Sequence, residues 1–193
     1  MGPEWEPDKG QETVMLAAET AWRILHAEHA QMRELLGEIE SIVATPQWQR
    51  PGPALESLTR LVHHLQSFDD ATHRPKGIAL FAALRGREPD TDALIGRLEV
   101  DCEHRDKLLA DAEARLNALQ RGESLTDDAG LLLGQYAALL RRDLDLEDTA
   151  LHAESAKLLG PEQWSTIVSS ISTVMTDAWT GKPAPTRGRR TRS

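Results

Sequence analysis

Aromatic residues are scarce in this 193-residue chain: five Trp, two Phe and one Tyr make up 4% of it. Val and Thr are few beside Leu, Ala, Glu and Arg, so the composition favours helix over sheet. Cys102 is the only cysteine, which rules out an internal disulfide and any thiolate metal cluster; it reads as a small buried hydrophobe. No apolar run approaches the length of a membrane span, and the polar opening MGPEWEPDKG lacks a signal-peptide core. A cytoplasmic protein without a membrane partner is expected. An excess of positive charge is also missing. The formal charge is −9, which argues against a nucleic-acid partner. Basic residues cluster only in the tail, at Arg187, Arg189, Arg190 and Arg192, which reads as a solvated terminus.

What the chain does have is helical periodicity. From about Glu12 to Ala44, the residues Met15, Ala18, Trp22, Leu25, His29, Met32, Leu36, Ile39 and Val43 alternate at spacings of three and four. That is the inward stripe of a bundle helix, and His29 stands in its middle. TPQWQRPGP ends the segment. A second begins near Ala54 and carries Leu55, Leu58, Leu65 and then Leu80, Phe81 and Leu84, across an awkward interruption at THRPKG. After RGREPDT, with Thr91 as the expected N-cap, a third carries Leu94, Leu98, Cys102, Leu109, Leu116 and Leu119, with Val100, His104 and Leu108 flanking. Thr126 is the expected cap of the fourth, whose stripe is Ala129, Leu133, Tyr136, Leu140, Asp143, Glu147 and Ala150. A shorter amphipathic segment follows Leu159-Gly160-Pro161 and runs to about Trp179. The expected fold is all-α: an up-down-up-down antiparallel four-helix bundle with an extra short C-terminal helix. The bundle should span 12–179, between disordered segments at 1–11 and 180–193.

Polar side chains on inward stripes need a partner or a metal, because desolvation is costly. His29, His73, His104, and Asp143 with Glu147 supply candidates on each of the four helices, near mid-helix. Helix bundles build metal sites from inward ligands on facing helices, and imidazoles with carboxylates suit iron, manganese or zinc. The plainer alternative is a set of hydrogen-bonded core histidines, with Asp143 and Glu147 paired to Arg105, Arg141 or Arg142. His63 and His64 are adjacent and read as surface residues. His26, one turn before His29, reads as an interface-edge residue or a hydrogen-bond partner to a ligand, and His152 falls off the inward register.

In order along the chain, ILHAEHAQMRELLGEI, THRPKGIALFAALRGREP, LEVDCEH and YAALLRRDLDLEDTALHAESAKLLGPEQW resemble the hemerythrin-like HHE cation-binding family, over about Trp22 to Trp164. The resemblance implies His29, His73, His104 and Glu147 as surviving ligands, with Asp143 as a shorter-armed substitute for a histidine. Pro75 and Lys76 match the family's Pro and Lys, so the proline need not break the domain. Gly77 departs from it: the family places there a glutamate that bridges two irons. Arg74 likewise replaces a histidine. A mononuclear site is therefore favoured over a dinuclear one, with non-haem iron first and manganese or zinc next. Oxygen, nitric oxide, peroxide or iron itself are the implied ligands, in a binding or sensing protein more than an enzyme. The alternative is a metal-free bundle serving as a structural or interaction module, with Arg74 neutralising Asp143 or Glu147.

Overall fold

The computed structural model describes residues 9–123 and 128–180, with side chains over 16–123 and 129–174. Among the described residues every regular element is helical. In chain order they are α1 (Lys9–Val43), a 3-10 turn (Pro46–Gln49), α2 (Pro53–Phe68), α3 (Arg74–Leu84), α4 (Pro89–Gln120), α5 (Asp128–Leu146), α6 (His152–Leu158) and α7 (Pro161–Thr180). Two π turns, Asp69–His73 and Glu147–Leu151, join α2 to α3 and α5 to α6. The residues flanking each π turn keep right-handed helical dihedrals. The second and fourth segments of the sequence are thus each one rod with a widened turn.

Pro75 accounts for the first of these turns. It has no N–H to offer the carbonyl four residues back, and its ring crowds that carbonyl. The helix widens instead, so that the Arg74 N–H reaches the Asp69 carbonyl, five residues back. Lys76 Nζ donates to the Thr72 carbonyl at 2.9 Å. The interruption at THRPKG is therefore a π-bulge inside a continuing helix, not a boundary.

Glycines at positive φ end two of the rods, Gly86 at 78° after α3 and Gly122 at 77° after α4, where a side chain would be strained. The start of α4 differs from expectation. Pro89 occupies its first turn with Glu88 as N-cap, so Thr91 lies inside the helix, buried, with Oγ1 3.2 Å from Glu154 Oε2. A proline suits the first helical turn, where its missing N–H costs nothing. The expected cap Thr126 and residues 1–8 and 181–193 lie outside the described residues. Of the expected terminal segments, Lys9 to Gln11 already belong to α1 and Thr180 to α7. No described helix is long and apolar enough to cross a membrane.

Packing follows the stripes. α1 lies against α2, α5 and α7; α4 lies against α5 and α2; α3 lies against α7. The apolar core is split in two. One cluster gathers Met32, Leu36 and Ile39 with Leu55 to Leu65, Leu108 to Leu119 and Leu133 to Leu144. The other gathers Trp22 and Leu25 with Leu80, Leu84, Ile95, Leu151, Trp164 and Ile171. Between them, on every rod, runs a buried polar layer: His29, Asp69 with His73 and Lys76, Arg105, and Asp143 with Glu147. Lys76 is 1% exposed and pairs with Glu28, next to His29, which ties α3 to α1.

Removing one partner of a buried pair leaves the other charge uncompensated. Lys76→Ala is expected to cost about 3–5 kcal/mol in urea unfolding, whereas Lys76→Met combined with Glu28→Leu recovers most of that loss. Equal losses in the two variants would show that the pair itself does not hold α3 on α1.

Candidate metal centre

His29 comes from the middle of α1, His73 from the end of the first π turn, and Glu147 from the start of the second. All three are buried. His29 Nε2 and His73 Nε2 stand 2.9 Å apart, and Glu147 Oε2 is 3.5 Å from each. One ligand atom from each residue lies within 4.8 Å of the others, the compact group of metal-ligating type among the described residues. Ligands about 2.1 Å from a shared ion sit roughly 3.0–3.4 Å from one another, so these separations suit donors of a single ion.

The far side of each imidazole is occupied. His29 Nδ1 lies 2.5 Å from Asp148 Oδ1, and His73 Nδ1 lies 2.9 Å from Asp69 Oδ1. Arg33 holds Asp148 from outside at 2.8 Å, and Arg74 holds Asp69 at 2.8 Å. Burial raises the Asp69 carboxyl, but the bond and charge of His73 and the charge of Arg74 outweigh it and hold it below the ordinary carboxylate range. Asp148 is lowered in the same sense, against burial, by Arg33 and His29. Ionised carboxylates accept, so both Nδ1 atoms donate. That leaves both Nε2 atoms as acceptors, facing each other and a carboxylate oxygen.

Three acceptors around one point need a positive charge. Without a metal, a proton on His73 meets the need. Burial works against that charge, but bonds to Asp69 and Glu147 lift its pKa to about 10. Burial likewise raises Glu147, while bonds from His29 and His73 bring it down to about 2.

Of the five residues read from the sequence, His29, His73 and Glu147 come together. His104 and Asp143 do not join them. His104 is exposed on α4, because it lies one residue off the inward stripe and a helix turns about 100° per residue. The stripe runs through Leu98, Cys102, Arg105, Leu109, Ala112 and Leu116, and Arg105 is the residue it buries. Asp143 is buried as expected, but it pairs with Arg105 and, at 3.4 Å, with Arg142. Burial pushes its carboxyl up to about 6 against those two charges, so the pair is ionic at neutral pH. Arg74, which the metal-free alternative pairs with Asp143 or Glu147, binds Asp69 and Asp106 instead. Asp69 and Asp148 were missed, although Asp69 stands four residues before His73, the spacing at which helical neighbours meet. His26 is exposed, with Nε2 3.4 Å from Asp148 Oδ1, and His152 packs on Trp22 with ring centroids 4.4 Å apart.

A cavity of about 280 Å³ borders the cluster between α3 and α4. His73 and Glu147 line it, together with Gly77, Phe81, Cys102 and Arg105 and the charged groups of Asp69, Arg74, Glu99, Glu103 and Asp106. Cys102, half-buried, is therefore part of a cavity wall and not of the apolar core.

Comparison with known proteins matches residues 20–154 to the family model described as the hemerythrin HHE cation binding domain. No curated protein and no solved structure matches the chain. The family match ends before α7, which packs on α1 and α3 outside it.

The two shifted groups define a pH window for chelator-treated protein. Glu147 stabilises the fold above its unfolded value of 4.5, and that contribution is lost as pH falls toward 2. His73 stabilises it below 6.5, and that contribution is lost as pH rises toward 10. The stability difference between the wild type and Glu147→Gln should therefore peak between pH 4.5 and 6.5. Its height there should be on the order of 3 kcal/mol, shrinking on both sides in urea unfolding. A difference independent of pH would disprove the ion pair.

Proposed function

We propose, for a chain that belongs to the hemerythrin HHE cation-binding domain family, that His29, His73 and Glu147 bind one divalent metal ion. The observation that carries this reading is the convergence of three acceptor atoms within 3.5 Å, each imidazole oriented by a carboxylate behind it. Carboxylate-backed histidine is the usual arrangement of a metal-ligating imidazole, since the backing bond fixes the tautomer and raises basicity. Two histidines and one carboxylate without thiolate suit non-haem iron first, with manganese or zinc as alternatives.

One ion, not two, is favoured. Gly77 adds no carboxylate to the cavity, and the next inward position on α4 carries a guanidinium where a second cation would need a donor. Three protein ligands leave open positions on the ion, and the cavity beside His73 and Glu147 gives them space. A bound ion of this type supplies Lewis acidity and, as iron, redox chemistry. The protein's own part is to hold the imidazoles in one tautomer, neutralise the ion with Glu147, and limit access to a small cavity. Binding or sensing of oxygen, nitric oxide or peroxide fits that geometry better than turnover of a large substrate. The four rods are taken as an up-down-up-down bundle, which is supported by the pairing of α1 with α2 and of α4 with α5.

A second reading has an observation of its own. Protonated His73 satisfies the cluster without any metal, so a metal-free interaction module is chemically self-consistent. Elemental analysis of untagged protein from metal-replete growth separates the two. One metal per chain is expected. His29→Ala should abolish binding, Asp148→Asn should weaken it roughly 10–100-fold, and His104→Ala should leave it unchanged. Two tightly held ions would overturn the mononuclear reading, and none would favour the module.

A further inference from the structure

The charged groups around the cavity between α3 and α4 are nearly all spoken for. Asp69 accepts from His73 with one oxygen and from Arg74 with the other. Arg74 spends its remaining capacity on both oxygens of Asp106, at 2.7 and 3.0 Å. Glu99 takes Arg85 at 2.6 Å. The exceptions are Glu103, which is exposed, and Arg105, which is buried. Arg105 is 6% exposed, yet among the described residues its one hydrogen bond joins Nη1 to Asp143. Its other nitrogens are not among the sealed, partnerless atoms of the interior, and Arg105 is one of the residues that line the cavity. A guanidinium carries five donors in a planar fork that matches a carboxylate.

The rest of the cavity suits an anion with a short apolar body. Its volume of about 280 Å³ lies at the lower edge of the roughly 300–1,000 Å³ typical of ligand pockets. Ile78, Phe81 and Leu98 provide apolar surface, and a Cβ built on Gly77 meets nothing within 4 Å. The glycine therefore keeps open a space that almost any other residue would fill. A second carboxylate on Arg105 has a precedent in this chain, because Arg74 bridges Asp69 and Asp106 in the same way.

We infer that this cavity binds a small carboxylate anion, from acetate to a short 2-oxo acid, clamped by the free donors of Arg105. The clamp belongs to the protein alone. The approach of the ligand's far end to His73 and Glu147 rests on the metal reading, in which a carboxylate or oxo oxygen would fill an open position on the ion.

Calorimetric titration of the full chain at neutral to mildly alkaline pH tests this, in chelated and in zinc-loaded form, with acetate and pyruvate as probes and neutral acetamide as control. Acetate should bind the chelated protein with a dissociation constant on the order of 1 mM, as expected for one charge-assisted fork in a small pocket. Pyruvate should bind the zinc-loaded form more tightly, and acetamide should not bind. Arg105→Met with Asp143→Leu removes both buried charges together, which avoids an orphaned carboxylate. Gly77→Leu fills the space and leaves the ion pair intact. Each should weaken carboxylate binding at least roughly tenfold while the helical signal persists. Undiminished binding in both variants, equal binding of acetamide, or no carboxylate binding to either form would overturn the inference. If zinc fails to bind but acetate still binds in an Arg105-dependent way, the metal reading falls and the carboxylate site stands.

Discussion

Two imidazoles that direct their Nε2 atoms at each other across 2.9 Å, with a carboxylate oxygen 3.5 Å from both, need a cation between them. Everything around the cluster enforces that need. Asp148 and Asp69 commit the Nδ1 atoms as donors, and Arg33 and Arg74 keep those carboxylates ionised and in place. The two apolar clusters shield the group above and below, leaving it open only toward the cavity that His73 and Glu147 line. Desolvated acceptors without a donor are among the costliest arrangements in a protein interior. A proton on His73 or a metal ion relieves this one, and the choice between them is the functional question.

The π turns are what let neighbouring residues serve the cluster. In a regular α-helix, Glu147 and Asp148 would project about 100° apart. In the widened turn one reaches the Nε2 side of His29 while the other reaches its Nδ1 side. The turn at Asp69–His73 similarly brings Asp69 behind His73 and leaves its second oxygen to Arg74. Such bulges recur at functional sites because they re-aim side chains without ending the helix. Here one of them has a covalent cause, the missing N–H of Pro75.

The arginines divide the site into two unlike halves. On the α1 side, Arg33 stands outside the layer and holds the Asp148 carboxylate behind His29. On the α4 side, Arg105 enters the polar layer itself and neutralises Asp143 there. A buried cation supplied by the chain thus stands in the layer on that side, next to the cavity. Residue identity at two places, Gly77 and Arg105, makes that half of the layer what it is.

The inward stripes, with their spacings of three and four, determined by themselves that the chain is helical, where its rods start and stop to within a turn or so, and that His29, Asp143 and Glu147 are buried. Burial follows from period, and period is local. Composition and the Leu-rich stripes likewise decided that the core is aliphatic. Which buried polar groups meet was not local information. Asp143 faced two possible partners, a metal ion or an arginine, and the position of Arg105 on the facing rod settled it. The same stripe that carries Leu98, Cys102 and Leu109 passes through Arg105, so the register of α4 turns the arginine inward and leaves His104, one residue earlier, exposed. Asp69 and Asp148 could not be assigned from period, because a π turn shifts the face each residue presents. Only tertiary packing brought the two widened turns level with His29 on α1, and the three acceptors converge for that reason.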